Sequence, residues 1–301
     1  MLRQSLSVPF AVLVLTNNAK EKMEKHAKIL TATLLALTTY TGVLHAALDY
    51  SGQDVSREWW SSWSGDFKEA DFTDATAIYT TFTGTIDLSG SNFTRANCQG
   101  VTFGSAVTMD GADFTSADLR GANGFKESDV VLRNTIMPDG SILNFSMAST
   151  SDSLVIYDTT SVGIDVTLGS GDYSISDGAS VVFRLSESYS QEDDVPPGFG
   201  TIKGENGAGI TFGEGSSVIL DFRDAEVEFG EFLLFDTDTI TLSGLENVEV
   251  TVLSNGVEII SGLSLSKTGT IVVSSIPEPG TYAALLGMFA LFFAVRYKKI
   301  K

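Results

Sequence analysis

Cysteine, histidine and basic residues are scarce in this chain. Each shortage excludes a way of stabilising the fold or a type of chemistry. The single cysteine, Cys98, cannot form an internal disulfide, so the fold does not rest on a disulfide framework. The only two histidines, His26 and His45, lie in an N-terminal segment that has the features of a cleaved export signal. The rest of the chain therefore lacks the histidine of a Ser-His-Asp triad, of a Cys-His pair or of a histidine zinc site.

Positive charge is scarce because 19 basic residues stand against 38 acidic ones, giving a formal net charge of −19. So acidic a chain is a poor binder of nucleic acid, since that binding needs Lys and Arg to replace phosphate counterions. The charge is typical of a well-solvated extracellular surface or of one that binds cations. The acidic run 192–194 lies in a polar stretch, 186–200, and is more typical of a solvated loop than of a calcium site.

Catalytic motifs are missing as well. The sequence has no Walker-type phosphate loop and no dinucleotide fingerprint after a strand. Carboxylate chemistry of the glycosidase kind is compatible with the composition, but no pair among the 38 acidic residues is marked by a motif. We therefore predict a non-enzymatic protein without catalytic, cofactor-binding or metal-binding residues.

The N-terminal region, residues 1–47, has the three parts of a signal peptide. Two lysines within 25–28 form a positive segment, residues 29–44 form an apolar segment, and small residues follow at 46–47. The apolar run is short and rich in threonine, which favours a cleaved signal over a membrane helix. Met23 opens this signal directly, so a further hypothesis places the true start there. The signal implies the Sec translocon and signal peptidase as partners.

The segment 276–301 contains a second targeting pattern. Residues 280–295 are apolar, and a helix of this length rises about 24 Å, slightly less than a hydrocarbon core of ~30 Å. Flanking aromatic and basic side chains can cover the difference. We predict a transmembrane helix over 281–296, with the acidic body outside and the C-terminus in the cytoplasm. The cytoplasmic anchor consists of four basic residues, Arg296, Lys298, Lys299 and Lys301.

The stretch before that helix reads Ile-Pro-Glu-Pro-Gly. Two prolines around one acidic residue disfavour both helix and sheet, leaving an extended segment that a processing enzyme can reach. The order of Pro-Glu-Pro, short apolar helix and basic end resembles the PEP-CTERM sorting signal of Gram-negative bacteria. The resemblance implies that an exosortase, a membrane-embedded cysteine protease, recognises Pro277, Glu278 and Pro279. It also implies sorting to the envelope, often alongside exopolysaccharide production.

Between the two signals, a five-residue rhythm runs through residues 65–125. Bulky or apolar residues recur every five positions, with skips that set a 21-residue block: Phe67, Phe72, Ala77, Phe82, Leu88, Phe93, Cys98, Phe103, Met109, Phe114, Leu119 and Gly124. A period of five fits neither helix nor strand, but it fits a square coil with one large and one small inward residue on each side. We expect the small residue, two positions before the large one, to let the backbone turn the corner.

This rhythm resembles the pentapeptide-repeat family, whose pattern matches segments such as Ala-Asp-Phe-Thr-Ser (112–116) and Ser-Asn-Phe-Thr-Arg (91–95). The resemblance implies a right-handed quadrilateral β-helix of about three turns, which we place at 59–135 together with its cap. Cys98 has an inward position in this frame and is interpreted as a small buried hydrophobe.

Three tryptophans, Trp59, Trp60 and Trp63, precede the first predicted turn. A short coil has an exposed apolar end, so we expect these rings to cap it. The alternative is an exposed aromatic patch that binds a ligand.

A second all-β region is predicted at 145–275. A turn signal at 138–140 ends the five-residue rhythm, and apolar residues then alternate with period two. Ser254-Asn255-Gly256 is a strong hairpin signal among these strands. The alternation is compatible with a β-sandwich and with a continued, wider β-solenoid.

These features predict a non-enzymatic exported protein of the bacterial envelope or extracellular matrix, anchored by its C-terminal helix until an exosortase processes it. One alternative is a carbohydrate-binding module for the cell's own exopolysaccharide, which the tryptophans could hold. A polysaccharide-acting enzyme is the other. The predicted partners are the exosortase, the export machinery, the membrane and exopolysaccharide, but not nucleic acid.

Overall fold

The computed structural model describes residues 47–61, 67–158, 162–186, 199–205, 207–223 and 230–274, and within these ranges the chain is all-β. The chain divides into two compact units, 1–49 and 50–301, and the described strands lie in the second. The first five strands are β1 (Trp59–Trp60), β2 (Thr81–Phe82), β3 (Thr102–Phe103), β4 (Thr135–Ile136) and β5 (Ile142–Leu143). The later strands are β6 (Ser153–Tyr157), β7 (Val166–Leu168), β8 (Asp172–Ile175), β9 (Ser180–Ser186), β10 (Ile202–Gly204), β11 (Ala208–Phe212), β12 (Ser217–Arg223), β13 (Gly230–Leu233), β14 (Ile240–Ser243), β15 (Glu249–Ser254), β16 (Val257–Leu263) and β17 (Thr270–Val273). A single 3-10 turn, η1 (Leu245–Asn247), accompanies them in the described ranges.

The described residues between 50 and 137 form a four-sided parallel coil, which we call the narrow coil. Backbone bridges join residues one turn apart, as Thr76 does with Asp54 above and Asn97 below. These two spacings are 22 and 21 residues, so the predicted 21-residue block is confirmed inside the coil. The described turns begin at Tyr50, nine residues before the predicted boundary at 59.

Large side chains fill the narrow coil in columns, as the five-residue frame predicted. The predicted inward residues from Phe67 to Leu119 are all at most 4% exposed. In one column, which we call the Phe93 column, the rings of Tyr50, Phe72, Phe93 and Phe114 stack face to face. Successive centroids lie 5.0, 4.5 and 4.7 Å apart, with interplanar angles of 11°, 4° and 2°. The small angles show that this side of the coil has almost no twist.

The last predicted column position, Gly124, is wrong. Gly124 is exposed with a φ of 70°, and a Cβ there would overlap the carbonyl oxygen of Phe103. The ring of Phe125 fills the column, with centroids 5.9 Å from Phe103 and 5.1 Å from Phe114. The chain therefore takes one extra residue here, as it also does in the first turn.

The corners are turned by the residue two positions after each large one, and not by the small residue as expected. Asp74, Arg95 and Gly121 at this position have φ values of 56°, 57° and 69°. The next N–H then donates to the large residue's carbonyl, as from Ala75 to Phe72 at 3.0 Å, which is the pattern of a type II turn. The small residue, fully buried at Ala75, instead leaves room for the neighbouring columns.

The described residues between 141 and 273 form a second, larger parallel coil, which we call the wide coil. Of the two folds left open by the sequence, this region is thus a solenoid and not a sandwich. Three parallel ladders carry its turns: β6-β9-β12-β15, β7-β10 and β8-β11-β14. Ser153 pairs with Ser180, Ser180 with Ser217, and Ser217 with Glu249. Its turns therefore take 27, 37 and 32 residues, in contrast to the regular narrow coil.

Two hairpins reverse the chain where turn signals predicted them. At 138–140, Gly140 with a φ of 90° donates to the Met137 carbonyl at 2.9 Å, joining β4 to antiparallel β5. Ser141 then bridges to Thr167, so this hairpin passes the chain from the narrow coil to the wide coil. At 255–256 both residues have positive φ, and β16 turns back along β15.

The wide coil runs back alongside the narrow coil. The Tyr157 hydroxyl at the end of β6 donates to the Arg95 carbonyl at 2.6 Å. Arg184 in β9 and Arg223 in β12 both reach Asp74, one turn earlier in the narrow coil. Later strands of the wide coil thus meet an earlier turn of the narrow coil. We call this contact between the β6-β9-β12 sheet and the narrow coil the seam.

The sheet at the seam is buried on both faces. Leu154 and Phe183 point into the core of the wide coil, whereas Val155, Tyr157 and Val182 form a separate cluster on the other face. Successive residues of β6 thus alternate between two buried environments. This explains why β6 and β9 read as almost continuous apolar runs.

Candidate functional surfaces

The predicted targeting residues lie outside the described residues. This applies to the signal region 1–46, to the transmembrane segment 281–296, and to the sorting and anchor residues Pro277, Glu278, Pro279, Arg296, Lys298, Lys299 and Lys301. In the described ranges, no helix is both long and apolar enough to cross a membrane. The targeting predictions therefore stay predictions. The acidic run 192–194 also falls outside the described part of the chain, and no cluster of three metal-ligating side chains occurs inside it.

The tryptophans do not form the expected joint cap. Trp60 is an inward residue of the narrow coil, with its ring centroid 5.0 Å from that of Phe82 and 5.1 Å from that of Phe67. Trp59, the preceding residue of β1, is 72% exposed. Neighbouring residues of a strand point to opposite faces, so one ring packs inside and the other faces outward. Trp63 is outside the described residues.

The outward Asp and Asn residues of the repeat have a structural task. Asp71, Asn92 and Asp113 each accept the backbone N–H two residues later through Oδ1, at 2.9, 3.0 and 2.8 Å. These bonds fix the start of each corner, as in an Asx-turn. The Asp/Asn position of the repeat is therefore explained by turn geometry, without a ligand.

Cys98 is a buried column residue, as predicted. Its side chain is fully buried between turns, and its backbone N–H donates to the Asp118 carbonyl at 2.8 Å. Burial, with a smaller contribution from the Asp118 charge, raises the pKa of the Cys98 thiol far above its ordinary value. A thiol that stays protonated is a poor nucleophile, so this residue serves packing.

Charged side chains cluster at the seam, where the sequence alone had indicated no site. The Arg184 guanidinium donates to Asp221 at 2.8 Å, to Asp74 at 2.9 Å and to the Tyr157 hydroxyl at 3.1 Å. Asp74 also pairs with Arg95 at 2.6 Å. The signal that could have revealed this network is the presence of Arg184 and Asp221 in otherwise apolar strands, because a charge there requires a partner.

The pKa shifts follow from this network. Burial acts to raise the pKa of Asp74, but hydrogen bonds from Arg95 and Arg184 outweigh it and hold the pKa below its ordinary value. Burial disfavours the charge on Arg184, yet Tyr157, Asp221 and Asp74 together raise its pKa. Burial also raises the pKa of Tyr157, so its hydroxyl stays protonated. The seam is thus a paired, charged structural contact.

Replacing Asp74 by Asn is expected to reduce the loss of stability in acid. The folded-state pKa lies below the unfolded one, so the carboxylate contributes stability that is fully present above about pH 5 and is lost as the pH falls below about 4. Urea melts at pH 6 and pH 3 should therefore show a smaller difference in midpoint for Asp74→Asn than for the unmodified chain. The control Thr94→Ala, which removes no titratable group, should keep the full difference. Equal differences in the two variants would contradict this role of Asp74.

A shallow cleft is found where the chain passes between the coils. It has a volume of about 270 Å³ and is lined by Glu127, Met137, Pro138, Asp139, Ser141 and Leu143. Hydrogen bonds from Ser141 lower the pKa of Asp139, and they also close the turn of the β4–β5 hairpin. Asp139 and Ser141 are thus hydrogen-bonded to each other within the turn.

Comparisons with known proteins place few limits on function. No protein-family model matches the chain, and no curated protein matches it either. Among solved structures, a pentapeptide repeat protein from the Arabidopsis thaliana thylakoid lumen matches with 23% identity and a TM-score of 0.23, over 31% of this chain and 59% of that one. HetL, a pentapeptide repeat protein involved in heterocyst differentiation regulation in the cyanobacterium Nostoc sp. strain PCC 7120, matches with 14% identity and a TM-score of 0.20, over 67% and 90%. The four-sided coil is therefore assigned from its own bridges and hydrogen bonds.

Proposed function

We propose that this chain is a non-enzymatic protein of the bacterial envelope or extracellular matrix, exported and then sorted by an exosortase. The observation that carries the proposal is the order of three elements in 276–301: Pro277-Glu278-Pro279, an apolar stretch, and a basic end. The signal-like segment 1–47 supports export through the Sec translocon and cleavage by signal peptidase.

The described residues support a scaffold. Acidic side chains that are buried or partly buried pair with arginine: Asp74 with Arg95 and Arg184, Asp118 with Arg120, Asp152 with Arg133, and Asp221 with Arg184. Such pairs hold neighbouring elements in place. The narrow coil also presents regular outer faces, which suit contact with other matrix components.

Deleting residues 276–301 is expected to move the protein out of the envelope fraction and into the medium or periplasm. The finer test replaces Pro277, Glu278 and Pro279 together by Ala, which spares the apolar stretch and the basic end. This variant should stay in the membrane unprocessed, at a higher apparent mass on a blot. Glu258→Ala, on the exposed strand β16, is the matched control and should fractionate normally. Unchanged fractionation and mass in both test variants would exclude sorting by this segment.

Binding of exopolysaccharide is a second candidate function. The observation that favours it is the 72% exposure of Trp59, because a large aromatic ring outside the core offers a stacking surface for a sugar ring.

A further inference from the structure

One outer side of the narrow coil carries a straight file of four residues, which we call the Trp59 strip. Trp59 pairs with Thr81, Thr81 with Thr102, and Thr102 with Asn123, each one turn below the last. Adjacent strands lie about 4.8 Å apart, so the strip is about 14 Å long. This length accommodates several sugar units of an extended chain.

The strip is flat and rigidly held. Beneath it, the rings of Phe82 and Phe103 stack with an interplanar angle of 4° and a centroid distance of 5.7 Å. Its backbone is bonded between turns, with Thr83 donating to Trp60 at 2.9 Å and Gly104 donating to Phe82 at 2.8 Å. A ligand therefore meets a preformed surface and does not need to order it.

The side chains of the strip combine an apolar plate with polar groups. Trp59 is 72% exposed, since the packing role at this point is taken by its neighbour Trp60. Thr81 and Thr102 are half-buried, and Asn123 is exposed, with its Nδ2 held by the Gly121 carbonyl at 3.3 Å. Hydroxyl donors, an amide oxygen and an indole face thus lie along one outer side of the coil.

We infer that the Trp59 strip binds a neutral polysaccharide chain of hexopyranose rings that lies along the coil axis. The indole of Trp59 stacks on the C–H face of one ring, while Thr81, Thr102 and the Asn123 oxygen bond hydroxyls of the following rings. The net charge of −19, with Glu58 exposed beside Trp59, repels acidic sugars and selects neutral ones. This inference rests on the second proposed function, the binding of exopolysaccharide. It adds the binding site and the class of ligand.

The test measures binding of cellohexaose, a neutral β-glucan, and of hexagalacturonate, an acidic one, to the full chain. Calorimetry should detect cellohexaose and not hexagalacturonate, and tryptophan emission should shift to the blue as Trp59 is covered. Trp59→Ala should weaken cellohexaose binding at least about tenfold, and Trp59→Phe, which retains a ring, should weaken it less. In Trp59→Phe the emission shift should be absent, although Trp60 and Trp63 still fluoresce.

Two further variants distinguish binding at a specific site from non-specific binding. Thr102→Val keeps the shape and removes one hydroxyl, so it should weaken binding about threefold. Val257→Ala removes a comparably exposed apolar side chain (64%) from the wide coil and should leave binding unchanged. Failure of cellohexaose to bind, equal affinity in Trp59→Ala, or equally tight hexagalacturonate would overturn the inference. Coincident urea melts confirm that each variant is folded. If Trp59→Ala does not fold, the affinity of Thr102→Val for cellohexaose decides the test instead.

The sorting proposal and this inference fail separately. The chain that lacks 276–301 should still bind cellohexaose, and Trp59→Ala should still be sorted to the envelope. Normal sorting without glycan binding would remove only the inference. Glycan binding with unchanged fractionation of the deletion variant would remove only the sorting proposal.

Discussion

Phe93→Ala is expected to lower the free energy of unfolding by about 3–5 kcal/mol. Phe93 is fully buried, with its ring stacked 4.5 Å from Phe72 and 4.7 Å from Phe114. A ring held on both faces by rings that are themselves fixed in a column leaves a cavity that cannot collapse easily. Urea melts of the full-length variant and of the unmodified chain measure the difference.

Thr94→Ala is the matched control, because Thr94 is the next residue on the same side of the same turn. Its side chain faces outward and is half-buried, and its backbone N–H, which bonds Asn92, is retained in alanine. The change should alter stability by within roughly 0.5 kcal/mol. A frame shifted by one residue would exchange the two results, so comparable midpoints would show the assigned frame to be wrong.

Arg120→Met is expected to lower the free energy of unfolding by about 3–5 kcal/mol, because it leaves a buried carboxylate without its cation. Arg120 and Asp118 are both fully buried and pair at 2.5 Å. The same guanidinium donates to three carbonyls of the wide coil: Tyr157 at 2.7 Å, Asp158 at 3.1 Å and Ile164 at 2.9 Å. The substitution therefore removes the pair and the polar attachment of one coil to the other.

Lys203→Met provides the control for loss of a cation. Lys203 pairs with Asp165 at 2.6 Å, but the two side chains are 42% and 49% exposed. An exposed pair of this kind contributes about 0–1 kcal/mol, so this variant should melt close to the unmodified chain. The double change Asp118→Asn with Arg120→Met should recover part of the loss, because the uncompensated charge is gone. If Arg120→Met behaves like Lys203→Met, the Arg120 contacts do not hold the coils together.

The five-residue frame could be predicted because every turn of the narrow coil repeats the same local task. Each side needs one large inward residue, one small inward residue and one corner residue, so periodicity alone identifies the columns. The error at Gly124 arose because extending a strict five-residue period does not show where the chain inserts an additional residue. Only the packing of Phe125 against Phe103 and Phe114 shows where the step lengthens.

The sequence did not decide whether the wide coil is a sandwich or a solenoid, and the reason is physical. Alternation with period two reports that a strand has an inner and an outer face, and both a sandwich and a solenoid meet that condition. The choice depends on which strands pair, and turns of 27, 37 and 32 residues leave no repeat for the sequence to display. The hairpin turns were predictable because Asn-Gly and Asp-Gly favour positive φ locally.

The sequence by itself determined the local features of this protein: the five-residue columns, the turn at 138–140, the hairpin at 254–256, and the order of the predicted targeting elements at 1–47 and 276–301. Only the tertiary structure decided that the wide coil folds back on the narrow coil, that Trp60 packs inward while Trp59 is exposed, and that Arg184 meets Asp74. Those outcomes join residues up to 149 positions apart. They depend on which surfaces can bury each other, a condition that no short-range pattern records.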